Sequence, residues 1–214
     1  MIPFDPELAG YITRHSSPED KILADLNRQT YLDMLNPQML AGHLQGKTLE
    51  MLSRMIRPEV ILEIGTFTGY SAICLARGLD DSGHLYTVEI NDEQRTIITQ
   101  YISNAGLMDR ITVLFGDARR LIPEIPVNQF DLVYIDGEKD EYCEYYRLVI
   151  DRLKPGGFII ADNVLWGGKV LDEPDPADRS TRGIILFNEM VIQDQRVENI
   201  ILPVRDGISL IRKK

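Results

Sequence analysis

Two rhythms divide this chain. Up to about residue 55 the apolar positions fall at helix-like intervals. Pro6, Ser17-Pro18 and Asn36-Pro37 each supply a helix-start signal, with proline in or near a first turn. The third piece, Pro37 to Ile56, carries Met39, Leu40, Leu44, Leu49, Leu52 and Met55 at roughly helical spacing. From Glu59 onward short runs alternate with longer ones. EVILEIG, HLYTVEI, ITVLFG, FDLVYID and GFIIADN are nearly all apolar, and helix-like runs separate them. Such runs predict strands buried on both faces of a parallel sheet, with helices covering it. Lys154-Pro155-Gly156-Gly157 reads as the turn between a helix and a strand. Residues 167–180, GGKVLDEPDPADRS, read as a long polar loop of the kind that forms lids, followed by a helix over RGIILFNEMVIQ. The tail NIILPVRDGISLIRKK holds two apolar runs joined near Arg205-Asp206-Gly207, and its Asp-Gly pair is a hairpin signal. The expectation is a single domain over 1–214. It comprises a helical N-terminal extension over 1–56 and a doubly wound, mostly parallel seven-stranded α/β sheet over 57–214, ending in an antiparallel hairpin.

Composition narrows the function. A hydrophobic content of 44% with 26% charged residues predicts a packed core. The net charge of -10 gives no electrostatic support to non-specific binding of nucleic acid or anionic membrane. The start, MIPFDPELAG, lacks the basic-then-apolar form of a signal peptide, and no apolar run reaches the roughly 18 residues of a membrane span. Cys74 and Cys143 fall in separate predicted helices, so no disulfide framework is expected, and the cytoplasm is the expected compartment. Both read as core or helix residues rather than reactive thiols.

Ligands of open α/β sheets bind beyond the carboxyl ends of the strands, where the strand order reverses. The first run ends in Glu63-Ile64-Gly65-Thr66-Phe67-Thr68-Gly69-Tyr70-Ser71, whose glycines permit a tight turn and close approach of a ligand. The second ends in Glu89, placed to accept hydrogen bonds from both ribose hydroxyls of a nucleoside. The pattern is G-x-x-x-G with an acid two positions earlier, not G-x-G-x-x-G. It lacks the close backbone approach that a dinucleotide pyrophosphate needs. This favours S-adenosylmethionine over NAD, while the glycines alone are equally consistent with a turn that binds nothing.

Two later runs also end in acids, Asp136 after FDLVYI and Asp162-Asn163 after GGFIIA. If those strands are neighbours, two carboxylates and an amide oxygen meet at one rim. These are hard oxygen donors suited to Mg²⁺, Ca²⁺ or Mn²⁺. Taken singly, each is as readily a helix cap or a turn former. No His/Cys cluster of zinc type exists, and His15, His43 and His84 are scattered, with His84 read as structural. Lys139, three residues after Asp136, could face the same site. Beside a metal and a cationic sulfonium its ammonium would be disfavoured, leaving it able to take a proton from a hydroxyl.

With these residues in place, EIGTFTGYSA, YTVEIN, FDLVYIDGEKDEY, GGFIIADNVLW and LPVRDGISLI together resemble the cation-dependent class I O-methyltransferases, the family of catechol and caffeoyl-CoA O-methyltransferases. The resemblance runs from about Asn36 to Arg212. It implies a Rossmann-like methyltransferase fold, S-adenosylmethionine as methyl donor, and a divalent cation, Mg²⁺ foremost, on Asp136, Asp162 and Asn163. Lys139 matches the catalytic base and Glu89 the ribose-binding acid. Glu63, Gly65 and Ser71 match the methionine-end and turn positions, Met39, Ala41 and Gly42 an N-terminal cofactor contact, and Ala118 the adenine contact. Asp136 would also touch the cofactor. A homodimer is implied as well.

The chain departs from the catechol enzyme at Glu138, where that enzyme has tryptophan, and in the loop 167–180. Trp166 is a candidate acceptor wall or simply a packed residue. The expected acceptor is a small catechol-like or hydroxycinnamoyl-type molecule. The alternative is the hydroxylated uridine of a tRNA, for which Arg119, Arg120, Arg179 and Arg182 would form a basic patch. A NAD-dependent oxidoreductase and a non-catalytic nucleotide-binding protein are the readings from other classes.

Overall fold

The N-terminal rhythm resolves into separate helices in the computed structural model, which describes residues 6–214. Positions 1–5, part of the predicted helical extension and of the segment MIPFDPELAG, lie outside the described residues. The helices are α1 (Pro6–Arg14), α2 (Lys21–Asp33) and α3 (Gly42–Ile56), with one 3₁₀ turn at Pro37–Met39. Asp20 starts α2, its carboxylate accepting the amides of Ile22 at 3.0 Å and Leu23 at 3.3 Å. The single helix expected from Pro37 is instead broken at Leu40, whose backbone is extended. Both Leu40 and Ala41 are buried at that break.

The apolar stripe read for this segment is buried only in part, at Leu40 and Leu49. α3 buries Gln45, Gly46, Leu49, Glu50 and Ser53, while Leu44, Met51 and Met55 face outward. The reason is close packing on α4 (Tyr70–Ala76). A Cβ on Gly46 would lie 2.4 Å from the Tyr70 ring, and the Ser53 hydroxyl donates to the Leu75 carbonyl at 2.7 Å. Small and polar residues therefore occupy the contact where larger side chains would not fit.

The sheet has the expected make-up. Its strands are β1 (Val60–Ile64), β2 (His84–Glu89), β3 (Ile111–Phe115), β4 (Phe130–Ile135), β5 (Leu153–Ala161), β6 (Val197–Leu202) and β7 (Ile208–Lys213). They lie in the order β3-β2-β1-β4-β5-β7-β6. The first five pair in parallel, and β7 is antiparallel to both β5 and β6. Strand order reverses between β1 and β4, which opens a crevice at their carboxyl ends.

The remaining helices are α5 (Arg95–Asn104), α6 (Ala118–Leu121), α7 (Tyr142–Ile150) and α8 (Arg179–Gln193). One core layer packs α7 and α8 through Tyr142, Tyr146, Ile184 and Phe187 against Val133 and Ile135. The other packs α3 to α5 through Leu49, Tyr70, Ile73 and Ile98 against Ile61 and Tyr134.

Two local expectations shift. Lys154–Gly157 is an irregularity inside β5, not a turn before it: Phe130 pairs with Leu153 but Leu132 with Phe158. The helix expected from Arg182 begins at Arg179, because Asp178 caps it by accepting the Thr181 amide at 3.0 Å. The polar loop thus divides into a kinked 3₁₀ segment, Trp166–Leu171, and an irregular stretch to Asp178. Cys74 and Cys143 are both free thiols. Among the described residues no helix is long and apolar enough to cross a membrane.

Gly183 marks where α8 docks on the turn that carries Lys139. A Cβ there would lie 2.4 Å from the Lys139 carbonyl oxygen and 2.5 Å from Asp140 Cα. Both are backbone atoms, so Gly183→Ala should force the helix and the turn apart. The expected cost is about 1–3 kcal/mol, read as a fall in Tm of roughly 2–4 °C per kcal/mol for a chain of this size. An unchanged melting curve would show that the turn moves freely.

Candidate active site

Backbone hydrogen bonds carry the parallel ladder one step past the strand ends. The Gly65 amide donates to the Val88 carbonyl at 3.0 Å, Gly116 to Glu89 at 2.9 Å, Asp136 to Ile64 at 2.8 Å and Asp162 to Ile135 at 3.0 Å. Residues that follow separate strands are thereby lined up along one rim. Gly65, Glu89, Asp136, Asp162 and Asn163 fall on it as expected, and Ala118 opens α6 just after the end of β3. Gly65 has φ +99°, and a Cβ there would come 2.4 Å from the Asp136 carbonyl oxygen. Glycine is required because β1 and β4 approach so closely, independently of any ligand.

On the β1–β2 side the groups suit a nucleoside joined to an amino acid. Glu89 is nearly buried, and its oxygens accept the amides of Phe67 at 2.7 Å and Asn91 at 2.9 Å. Glu63 is fully buried and accepts the Thr87 hydroxyl at 2.5 Å on one oxygen, while its other oxygen, Oε1, has no partner. Burial pushes the Glu63 carboxyl up to about 8, with the charges of Asp136 and Glu89 adding to the effect. A ligand ammonium set against this orphaned oxygen would favour the ionised carboxylate and pair with it. Ser71 is buried in the first turn of α4, and Ala41 is buried beside the break before α3. Met39 differs, for its side chain is 61% exposed and is not packed into the rim.

On the β4–β5 side two carboxylates share one phenol. Tyr134 OH lies 3.4 Å from Asp136 Oδ2 and 3.2 Å from Asp162 Oδ2. Burial, then the charge of Asp136, holds the Asp162 carboxyl above the usual carboxylate range. Lys139 Nζ donates to Asp136 Oδ1 at 2.7 Å and to Tyr142 OH at 2.8 Å. It is therefore seated on Asp136 rather than set apart as a lone base. Asn163 holds a left-handed φ of +56°, and its amide donates to Asp162 Oδ1 at 2.7 Å.

Among the described residues no group of three or more His, Cys, Asp or Glu forms a metal cage. The expected donor set is two carboxylates and a carboxamide. It fits a hard cation that completes its shell with water or substrate oxygens, and not zinc. His84 hydrogen-bonds the Thr112 hydroxyl at 2.8 Å, in keeping with its structural reading.

Sequence reading missed Tyr134, Tyr142, Gln45 and Arg205. Tyr134 was detectable, because it precedes Asp136 by two positions in a strand and so shares its face. Gln45 is buried, and its amide donates to Asp162 and, at 2.9 Å, to Tyr134 OH. Nothing along the chain announced that reach from α3.

The O-methyltransferase family model matches residues 13–214. The chain belongs to the O-methyltransferase family. It is 33% identical to a catechol O-methyltransferase of Niastella koreensis over 95% of this chain and 92% of that one. It is 36% identical to caffeoyl-CoA O-methyltransferase 1 of Eucalyptus globulus over 79% of this chain and 72% of that one. Among solved structures, the Bacillus cereus O-methyltransferase in complex with S-adenosylhomocysteine superposes with a TM-score of 0.90 at 30% identity, covering 97% of both chains. A Streptomyces achromogenes O-methyltransferase of tomaymycin synthesis, bound to S-adenosylmethionine, gives 0.88 at 30% identity over 97% of this chain and 96% of that one. The chain is thus a S-adenosylmethionine-dependent O-methyltransferase with the Rossmann-like fold expected of it.

Of the four arginines considered for a tRNA patch, Arg119 and Arg179 are ion-paired. Arg119 pairs with Asp117 at 2.8 Å, Glu141 at 3.0 Å and Glu144 at 3.5 Å, and Arg179 pairs with Asp140 at 2.6 Å.

Glu63 gives a pH test. Its carboxyl keeps its proton in the folded protein up to about pH 8 but loses it near its ordinary value of 4.5 when unfolded. The folded state therefore binds more protons in that window, and stability should fall as pH rises through it. Glu63→Gln removes this titration. The Tm of the wild-type protein without cofactor, relative to that of the variant, should decline from pH 5 to pH 8. A constant difference would mean that Glu63 is ionised throughout.

Proposed function

We propose that this methyltransferase acts on a hydroxyl of a small catechol-like or hydroxycinnamoyl-type acceptor and requires a divalent cation. The observation that carries this reading is the placement of Asp136 and Asp162 on one shared Tyr134 hydroxyl, with Lys139 beside them. Asp136, Asp162 and Asn163 would hold the cation, foremost Mg²⁺ with Ca²⁺ or Mn²⁺ also compatible. Bound there, it would supply Lewis acidity that favours an acceptor oxyanion. Glu89 would hold the ribose, Glu63 and Ser71 the methionine end, Ala118 the adenine, and Met39 and Ala41 the outer side of the cofactor. Gly65 and Asp136 would line the floor beneath it.

In the reaction the acceptor oxygen bonds to the methyl carbon as the carbon–sulfur bond of the sulfonium breaks, and S-adenosylhomocysteine leaves with the electron pair. Lys139 Nζ takes the hydroxyl proton. Asp136 Oδ1 and Tyr142 OH stand where they hold the resulting ammonium. The rigid rim keeps oxygen, carbon and sulfur in line. A neighbouring second hydroxyl on the acceptor would add a second oxygen to the cation, which favours a vicinal diol on an aromatic ring. The catechol and caffeoyl-CoA specificities in the relatives' names agree with that, and the pairing of Arg119 and Arg179 with acids weighs against tRNA.

Methyl transfer should be assayed on catechol, a dihydroxycinnamoyl-CoA and hypomodified tRNA, each with Mg²⁺ and with EDTA. Turnover of a small diol that EDTA stops is expected. Turnover that ignores EDTA would remove the cation, and methylation of tRNA alone would transfer the function to RNA. Asp162→Ala should abolish transfer while leaving S-adenosylhomocysteine binding largely intact. Lys139→Met should lower kcat by about 10²–10⁴-fold at unchanged cofactor affinity, and a loss confined to cofactor affinity would make Lys139 a binding residue.

A further inference from the structure

Arg205 occupies the turn between β6 and β7 with φ +51°, the left-handed region that glycine adopts without strain. A side chain is kept in such a conformation where its contacts over-determine it. Here a single guanidinium nitrogen, Nη1, serves three acceptors with two N–H groups, one of them shared: the Leu40 carbonyl at 3.0 Å, the Ala41 carbonyl and Gln45 Oε1 at 2.9 Å. The two carbonyls belong to the chain break that precedes α3, where the helix-like pattern continued but the helix did not.

Gln45 is 1% exposed, and both ends of its amide are used. The oxygen takes the Arg205 proton, and the nitrogen donates to Asp162 Oδ2 and Tyr134 OH. Reversing the amide would set its oxygen against the Asp162 carboxylate and its NH₂ against the guanidinium. The two opposite charges therefore fix which way the amide points. The turn itself is anchored on the segment after Asn163. The Val164 amide donates to the Gly207 carbonyl at 3.1 Å, Leu165 to the Asp206 carbonyl at 2.9 Å, and Gly167 to Asp206 Oδ1 at 2.7 Å.

We propose that Arg205 is a positioning residue, which clamps the Leu40–Gln45 segment over the rim and orients the Gln45 amide onto the Asp162 carboxylate. This rests on Asp162 being part of the reacting site. Nothing in the clamp requires Arg205 to touch cofactor or acceptor.

Three single variants and one double variant test it. Arg205→Gly relieves the backbone and removes the clamp. Arg205→Lys keeps a cation whose three N–H groups can serve the same acceptors. Gln45→Met breaks the link to Asp162 but leaves the two carbonyl contacts. Exchange of backbone amides in residues 37–50 is followed in the protein without cofactor, with kcat and KM for catechol and S-adenosylmethionine and with S-adenosylhomocysteine affinity.

Arg205→Gly should speed exchange in that segment about tenfold and lower kcat about tenfold or more, as expected for loss of a few charge-assisted hydrogen bonds. The melting temperature should change little. Arg205→Lys should recover most of both. Gln45→Met should lower kcat comparably while exchange stays slow, and Arg205→Gly with Gln45→Met should be no worse than the poorer single variant. Unchanged exchange in Arg205→Gly, or kcat losses that multiply in the double variant, would overturn the clamp. If the wild-type enzyme methylates none of the acceptors, the acceptor class fails. Exchange and S-adenosylhomocysteine affinity in Arg205→Gly still decide the clamp.

Discussion

Asp136 and Asp162 carry like charge, stand at the ends of adjacent strands and are screened from water, Asp162 almost completely. Left alone they would repel each other in a medium that weakens charge little. The groups around them answer that repulsion. One phenol hydroxyl, Tyr134, lies within reach of both. The Lys139 ammonium sits on the other oxygen of Asp136, and the Gln45 amide meets the same Asp162 oxygen as Tyr134. Each of these has its own support: α8 packs against the Lys139 backbone at Gly183, and Arg205 fixes Gln45.

The parts of this arrangement that were legible in the sequence are those that a strand displays by ending. An apolar run that stops at an acid marks both a sheet edge and a functional group, so Glu89, Asp136 and Asp162 could be placed before any coordinates. The parallel ladder then required them to share a rim, since each amide past a strand end bonds the neighbouring strand. Hydrophobic spacing served less well in α3. Leu44 and Met55 kept the helical interval but face outward, while Gln45, Gly46 and Ser53 are buried. Helix contacts made through glycine and serine are close contacts, and closeness leaves no apolar signature. Gln45 looked like an ordinary polar residue of an exposed helix face because its partners, Asp162 and Arg205, lie more than a hundred residues away along the chain.

The C-terminal hairpin shows how much a fold-level reading can leave out. Asp206-Gly207 predicted an antiparallel pair, and β6 and β7 form one. Yet the turn does more than reverse the chain. Its backbone and the Asp206 carboxylate hold Val164, Leu165 and Gly167, at the start of the loop expected to face the acceptor. Its Arg205 holds Leu40, Ala41 and Gln45, on the side expected to face the cofactor. Trp166, Gly167 and Gly168 all take positive φ, so that loop leaves the rim along a path few residues adopt and relies on the hairpin for its course. Both walls of the crevice therefore hang on one five-residue connection outside the parallel sheet. A change in that turn would reach the cofactor side and the acceptor side together, and through Gln45 it would also reach Asp162 at the end of β5.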